Sequence, residues 1–256
     1  MNKIFLKYLQ LLFVGLIVTS CVSSKKMVYF QDNEGVELNE TIVSFEPTIQ
    51  TGDLLNITVS ALDAAAAVPF NLYETPVSNG SLSTNAKPIH YLVDNEGAIN
   101  FPVLGRLKVA GSSTKELSKQ IINKLKEYLV NPIVNIRLTN FKVTVLGEVK
   151  TPGSFVIQNE RITIIEAIGL AGDLKIQGKR TSITLIREQE GKRIFVPVDL
   201  TSKKLFNSPY YYLAQNDVIY VEPNKTKINS SVVGANTSII ISSISTLISL
   251  IAILTR

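Results

Sequence analysis

The sequence predicts an α+β chain of two small domains followed by a C-terminal membrane-spanning helix. Three observations predict this class. Two capping boxes, Ser113-Thr114-Lys115-Glu116 and Thr163-Ile164-Ile165-Glu166, each open a helix among segments that alternate apolar and polar residues as strands do. The chain is 45% hydrophobic, so the roughly 205 residues between its two ends can bury real cores. From Thr237 to Thr255 it becomes an uncharged run of Ile, Leu, Ser, Thr and Ala.

Residues 1–20 read as a signal peptide, with Lys3 and Lys7 ahead of an apolar stretch from Leu9 to Val18. That stretch is about ten residues, whereas a spanning helix needs about twenty. Val18-Thr19-Ser20-Cys21 resembles a bacterial lipobox, whose cysteine becomes the first residue and carries lipid on its sulfur and amine. Cys21 is the only cysteine, so no intramolecular disulfide is possible and membrane lipid is the expected partner of this residue. Val22, where many inner-membrane lipoproteins have aspartate, favours delivery to the outer membrane. Residues 21–45 form a lipidated tether with one extended patch, Met27-Val28-Tyr29-Phe30.

The first domain is expected over residues 46–140. Leu55, Ile57 and Val59 alternate after a turn at Thr51-Gly52-Asp53, and Ala61 to Pro88 is a surface excursion without sustained periodicity. Tyr91 to Val103 reads as two short strands around Asp94-Asn95-Glu96-Gly97, with Gly97 supplying a positive φ for the hairpin. After the Ser113 box, Leu117, Ile121, Leu125 and Tyr128 recur at helical spacing until Asn131-Pro132, and Ile133 to Leu138 then alternates as a strand.

The second domain is expected over residues 141–225. A strand at Val143-Thr144-Val145-Leu146 precedes the Thr163 box, whose helix ends at Gly172. Three strands follow, near Ser182–Arg187, Arg193–Val198 and Asp217–Val221, the last introduced by Gln215-Asn216-Asp217. Strands wrapped around one short helix suggest a β-grasp arrangement. Val103-Leu104-Gly105-Arg106-Leu107-Lys108-Val109-Ala110-Gly111 and Val145-Leu146-Gly147-Glu148-Val149-Lys150-Thr151-Pro152-Gly153 share the pattern V-L-G-x-x-K-x-x-G. Each glycine pair lets a strand turn tightly into the next segment.

Residues 228–256 are read as the spanning helix. At 100° per residue Ser238, Ser242, Ser245 and Ser249 share an arc of about 60°. Such a stripe suits a wet lumen or close packing against copies of the same helix, and either requires an oligomer. A lone helix with serines that merely lower its hydrophobicity is the third reading.

Composition excludes several classes. Loss of Lys3 and Lys7 with the signal lowers the formal charge of +5 by two, too balanced for a nucleic-acid partner. The single histidine, His90, leaves no metal site with two histidines, and no nucleophile elbow accompanies it. Among the acids near motifs, Asp53, Asp94, Glu96 and Glu148, the first three sit in turns, so no catalytic carboxylate pair stands out. No enzymatic activity and no cofactor is expected.

Ile49-Gln50-Thr51-Gly52-Asp53-Leu54-Leu55-Asn56-Ile57, the run Val93-Asp94 through Gly97, Pro102 and Gly105, and Tyr128 through Asn131-Pro132 resemble the polysaccharide export domain of the Wza-type outer-membrane export lipoproteins. The unit from Val145-Leu146-Gly147-Glu148-Val149 and Pro152-Gly153 to Asn216-Asp217-Val218-Ile219 is similar to that family's soluble-ligand-binding β-grasp (SLBB) domain. The tether from Ser23 to Gln31 resembles the Bacteroidetes branch. The resemblance implies a ring-forming homo-oligomer whose terminal helices line a channel for capsular or extracellular polysaccharide. It also implies an inner-membrane polysaccharide co-polymerase or tyrosine kinase as partner. One β-grasp unit, where the longest members have two, implies a shorter periplasmic body. A doubly anchored periplasmic module that binds a glycan or protein without a pore is the alternative.

Overall fold

The computed structural model describes residues 27–31, 45–74, 88–189, 191–232 and 236–254. The signal segment, Cys21 and most of the tether lie outside the described residues.

The first domain is built on a three-stranded antiparallel sheet. Its central strand β1 (Leu54–Ser60) pairs with β2 (Tyr91–Leu92) on one side and β5 (Ile133–Leu138) on the other. The period-2 pattern sets its faces, since Leu55, Ile57 and Val59 are buried on β1, as are Val134, Ile136 and Leu138 on β5. A four-residue helix α1 (Ala64–Ala67), capped by Asp63, follows β1 in the surface excursion. Helix α2 (Thr114–Leu125) begins with the predicted capping box, both reciprocal bonds present, and buries Leu117, Ile121 and Leu125. It stops earlier than its periodicity suggested. The N–H groups of Tyr128 and Leu129 both donate to the Leu125 carbonyl, which tightens the last turn. Leu129 is therefore buried while Tyr128 is turned outward against Phe70.

The hairpin of this domain is displaced from the predicted one. β2 pairs with β1, so the partner of β3 (Ala98–Phe101) is β4 (Gly105–Lys108) across Pro102-Val103-Leu104. Asp94–Gly97 remains a turn, with Gly97 at φ 77° and its N–H bonded to the Asp94 carbonyl. Tyr91 stacks on Phe101 beneath the sheet, ring centroids 5.6 Å apart. Burial pushes its phenol up to about 12.

The second domain is a five-stranded mixed sheet of β6 (Lys142–Gly147), β7 (Gly153–Val156), β8 (Gly178–Gln189), β9 (Lys192–Val198) and β10 (Val218–Pro223), in the order β7-β6-β10-β8-β9. β6 lies parallel to β10, and the other neighbours are antiparallel. β8 and β9 are the predicted strands with longer ends, and β7 is a short strand the sequence pattern did not reveal. Helix α3 (Ile164–Leu170) opens at the second capping box, again with both bonds, and buries Ile164, Ala167 and Ile168 against the sheet. The β-grasp expectation holds.

The C-terminal segment does not. Lys225–Val232 and Asn236–Leu254 form two helices, α4 and α5, and among the described residues no helix is long and apolar enough to cross a membrane. The expected membrane-spanning helix over 228–256 is therefore corrected. At 1.5 Å per residue α5 is about 28 Å long, below the roughly 30 Å of an average hydrocarbon core. Seven of its nineteen residues are Ser or Thr. The serine stripe also has a local explanation. The hydroxyls of Ser242, Ser245 and Ser249 donate to the carbonyls of Ile239, Ser242 and Ser245 at 2.8–2.9 Å, so they are satisfied within their own helix. The side chain of Ser238 lies outside what the structure describes.

Candidate functional site

Three of the residues singled out in the sequence, Gly52, Asp53 and Asp217, lie where the two domains meet. Gly52, at φ 84°, reverses the chain so that Asp53 points inward, fully buried, and accepts the Gln50 N–H on Oδ2 at 2.7 Å. Asn140 sits across from it as a double clamp. Its Oδ1 accepts the Leu54 N–H at 2.9 Å and its Nδ2 donates to the Gly52 carbonyl at 3.1 Å. From the second domain Gln215 Nε2 donates to the Asn140 carbonyl at 2.9 Å, and Gln215 Oε1 accepts the Lys142 N–H at 2.8 Å. Two amide side chains thus stitch the end of one sheet to the start of the next.

Asp217 completes this junction from the β-grasp side. It is buried, accepts the Ala214 N–H at 2.7 Å, and is gripped by Arg187 through Nε at 3.0 Å and Nη2 at 2.6 Å. The same Nη2 reaches the Tyr212 carbonyl at 3.0 Å. Burial raises the Asp217 carboxyl above its ordinary range, against the lowering pull of Arg187. The sequence placed Asp217 in a turn, which is correct, but its depth depends on Arg187 thirty residues away on β8.

Asp53 is likewise raised by burial, opposed by the Gln50 N–H and the Gln215 amide, and its Oδ1 makes no hydrogen bond among the described residues. A carboxyl with a folded pKa above its unfolded one binds the proton more tightly when folded. Its contribution to stability is therefore present at low pH and lost as pH rises through the raised value. Asp53→Asn should flatten this dependence, so that urea midpoints fall less between about pH 4 and about pH 7 than in the parent. Equal slopes in the two proteins would remove Asp53 as the source.

The remaining motif residues are turn-formers. Asp94 Oδ1 accepts the N–H groups of Glu96 and Ala98 at 2.9 Å, which hold its carboxyl below the usual range, and Arg106 bridges Asp94 and Glu96 at the surface. Gly105, at φ 73°, closes the β3–β4 turn after Pro102, and Asn131, at φ 51°, turns the chain into Pro132 and β5. Gly147, at φ 90°, ends β6 against the backbone of Val221, and Pro152-Gly153 opens β7. None of these groups converges on a reacting position.

A feature the motifs missed runs beside the junction. Tyr29, Phe30, Phe206, Tyr211, Tyr212 and Phe45 form a continuous chain of rings with centroids 5.1–5.8 Å apart. Arg161 lies over Tyr212, Arg187 over Tyr210 and Arg180 over Tyr29. Both described ends of the tether dock on this ridge, at Tyr29-Phe30 and at Phe45. The consecutive tyrosines 210–212 were the available signal.

Two α+β units are thus joined by amide side chains, with the aromatic ridge linking the tether to the second of them. Residues 43–139 match the family described as polysaccharide biosynthesis/export protein, and residues 142–197 match the SLBB domain. Over 202 residues the chain is 28% identical to the EPS I polysaccharide export outer membrane protein EpsA of Ralstonia solanacearum, covering 75% of this chain and 52% of the relative. It is 30% identical over 181 residues to the protein of the same name from Ralstonia nicotianae, covering 68% and 46%. To the exopolysaccharide production protein ExoF of Rhizobium meliloti it is 28% identical over 89 residues, covering 33% and 21%. The chain spans about half the length of the two EpsA relatives. With an export domain and an SLBB domain in this order, it belongs to the Wza-type polysaccharide export proteins.

Proposed function

We propose that this protein is the outer-membrane member of a polysaccharide export system, passing capsular or extracellular polysaccharide from the periplasm toward the cell surface. The observation that carries the reading is the uninterrupted succession of export and SLBB domains, joined through Asn140 and Gln215 into one body. The relatives are named for polysaccharide export and the outer membrane, which supports the same location here. Lipid on Cys21 holds the chain to the inner leaflet of that membrane, with most of the body in the periplasm. Copies assemble as a ring around the polymer's path, and an inner-membrane polysaccharide co-polymerase or tyrosine kinase delivers the polymer to it.

Deleting the gene should abolish surface polysaccharide and leave polymer within the envelope. A Cys21→Ser form should lose lipid label and restore less than about a tenth of the surface polymer, since one lost membrane anchor removes the protein from its site of action. Normal surface polysaccharide in the deletion strain would overturn the export reading. Full export by the unlabelled Cys21→Ser protein would overturn the anchor.

A further inference from the structure

We propose that the end of the β-grasp domain farthest from the export domain is a membrane-contact face, which binds the anionic headgroups of a phospholipid surface. That this surface is the outer membrane rests on the export reading above. The face itself rests on strand direction, charge and exposed aliphatic side chains.

β6 and β10 run parallel and both start at the domain junction, where Gln215 accepts the Lys142 N–H and Asp217 grips Arg187. Their other ends, at Gly147 and Pro223, mark the far end of the sheet. Thr201 lies there too, because the Leu200 N–H bonds the Arg180 carbonyl, two residues from the Gly178–Pro223 pair. Five lysines are exposed at this end: Lys150, Lys175, Lys204, Lys225 and Lys227. Lys150 follows β6 with its N–H on the Asp173 carbonyl, and the Lys175 N–H donates to the Glu148 carbonyl. Lys204 belongs to the 3-10 helix Lys203–Asn207 just after Thr201, and Lys225 and Lys227 open α4 directly after β10. None of the five pairs with an acid among the described residues. Three nearby acids are already engaged, Glu222 with Lys179 at 2.7 Å, Asp173 with the Tyr29 hydroxyl and Asp199 with Thr201. Glu148 is left to offset five cations, so the end is basic although the chain as a whole is nearly balanced.

Aliphatic side chains stand among these cations. Ile176 beside Lys175, Leu170 at the end of α3 and Val28 in the docked strap are 63%, 51% and 54% exposed. An acidic polymer in solution would use the lysines and leave these three in water. A lipid surface takes both, with phosphates on the ammonium groups and the acyl boundary on the aliphatics. Both ends of the chain also leave from here. The strap is held by Phe30 N–H to the Leu200 carbonyl at 3.2 Å and Gln31 N–H to the Thr201 carbonyl at 2.7 Å. Cys21 precedes Met27 by six residues, a reach of about 20 Å at full extension. Lipid on Cys21 therefore brings this face to the bilayer, and α4 departs from the same place.

The test uses the full-length Cys21→Ser protein, which carries no acyl chain, and phosphatidylcholine vesicles with and without phosphatidylglycerol. Because uncharged α5 meets both vesicles alike, the ratio of the two affinities reads the headgroups. Anionic vesicles should bind about a hundredfold more tightly at low salt, and the preference should shrink toward unity at about 1 M salt. Lys175→Gln combined with Lys204→Gln and Lys225→Gln should remove most of that ratio, at about fivefold per lysine. Lys108→Gln, Lys119→Gln and Lys124→Gln together, on exposed positions of the export domain, should change it less than about twofold. Equal affinity for the two vesicles, or an equal loss from either triple variant, would sink the proposal. The vesicle comparison with all lysines in place decides alone if a triple variant does not fold. Surface polysaccharide persisting in a deletion strain would instead defeat the export reading, whereas its loss together with indifference to headgroup charge defeats only this inference.

Discussion

Replacing Gly147 by alanine should destabilise the protein by about 3–5 kcal/mol, the range reserved for substitutions that break a packed backbone. A Cβ at this position would stand 2.1 Å from the Val221 carbonyl oxygen, 2.9 Å from its carbon and 3.1 Å from its nitrogen. All three are main-chain atoms of β10, which cannot swing aside as a side chain would. Gly147 is also the last partner of Val221 in the parallel ladder, and the next N–H, of Glu148, donates to that same carbonyl at 3.0 Å. Relief of the clash therefore parts β6 from β10 at the centre of the sheet. The backbone adds strain of its own, since φ is 90°.

Gly52 and Gly105 provide the internal comparison. Their φ angles are 84° and 73°, yet a Cβ added at either one would meet nothing within 4 Å. Alanine there should cost only the left-handed backbone penalty, about 1–2 kcal/mol. Urea midpoints of the three variants measure the difference directly. If Gly147→Ala falls no further than Gly52→Ala, the close approach to Val221 is not what the glycine serves.

This contrast shows where the sequence was legible. The repeated V-L-G-x-x-K-x-x-G pattern marks three positive-φ glycines, Gly105, Gly111 and Gly147, but Val103 occupies a turn at φ 64° whereas Val145 is a buried residue in mid-strand. The pattern records a shared local bend and says nothing of what packs on it. Features fixed within a few residues were readable for the same reason. Both capping boxes and the alternation of Leu55, Ile57 and Val59 appear as the spacing requires. The hairpin was misplaced because two turn segments in succession, Asp94–Gly97 and Pro102–Gly105, carry suitable residues, and the choice fell to β1, which claims Tyr91 and Leu92 from some thirty-seven residues upstream. β7 escaped notice because four residues have too little pattern to declare a strand. The docking of Tyr29 on Asp173, 144 positions away, has no local signature at all. At the C-terminus the helical period was real, but length and hydroxyl content, not period, decide whether a helix can span.

Arg187→Met should rank second, at about 3–5 kcal/mol, because it removes one partner of a buried ion pair and leaves the other. Asp217 is fully buried and the Arg187 side chain nearly so. Without the guanidinium, the carboxylate keeps only the Ala214 N–H, and the Tyr212 carbonyl loses its donor. Asp217 is already raised by burial, so its stabilising contribution belongs to low pH and is lost as pH rises through the raised value. Loss of the opposing cation extends that window upward, and the defect of Arg187→Met should be smaller near about pH 4 than near about pH 7. Adding Asp217→Asn should recover more than half of the loss, because the amide oxygen still accepts from Ala214 while no charge is buried. The order of the four proteins in urea at neutral pH is therefore parent, Asp217→Asn or the double variant, and Arg187→Met last. A double variant no better than Arg187→Met would mean that the arginine acts through the Tyr212 carbonyl and the aromatic ridge. In that case the loosened contact is the one between Phe45 and Tyr212, rings 5.2 Å apart where the chain enters the export domain, and the pH dependence should vanish with it.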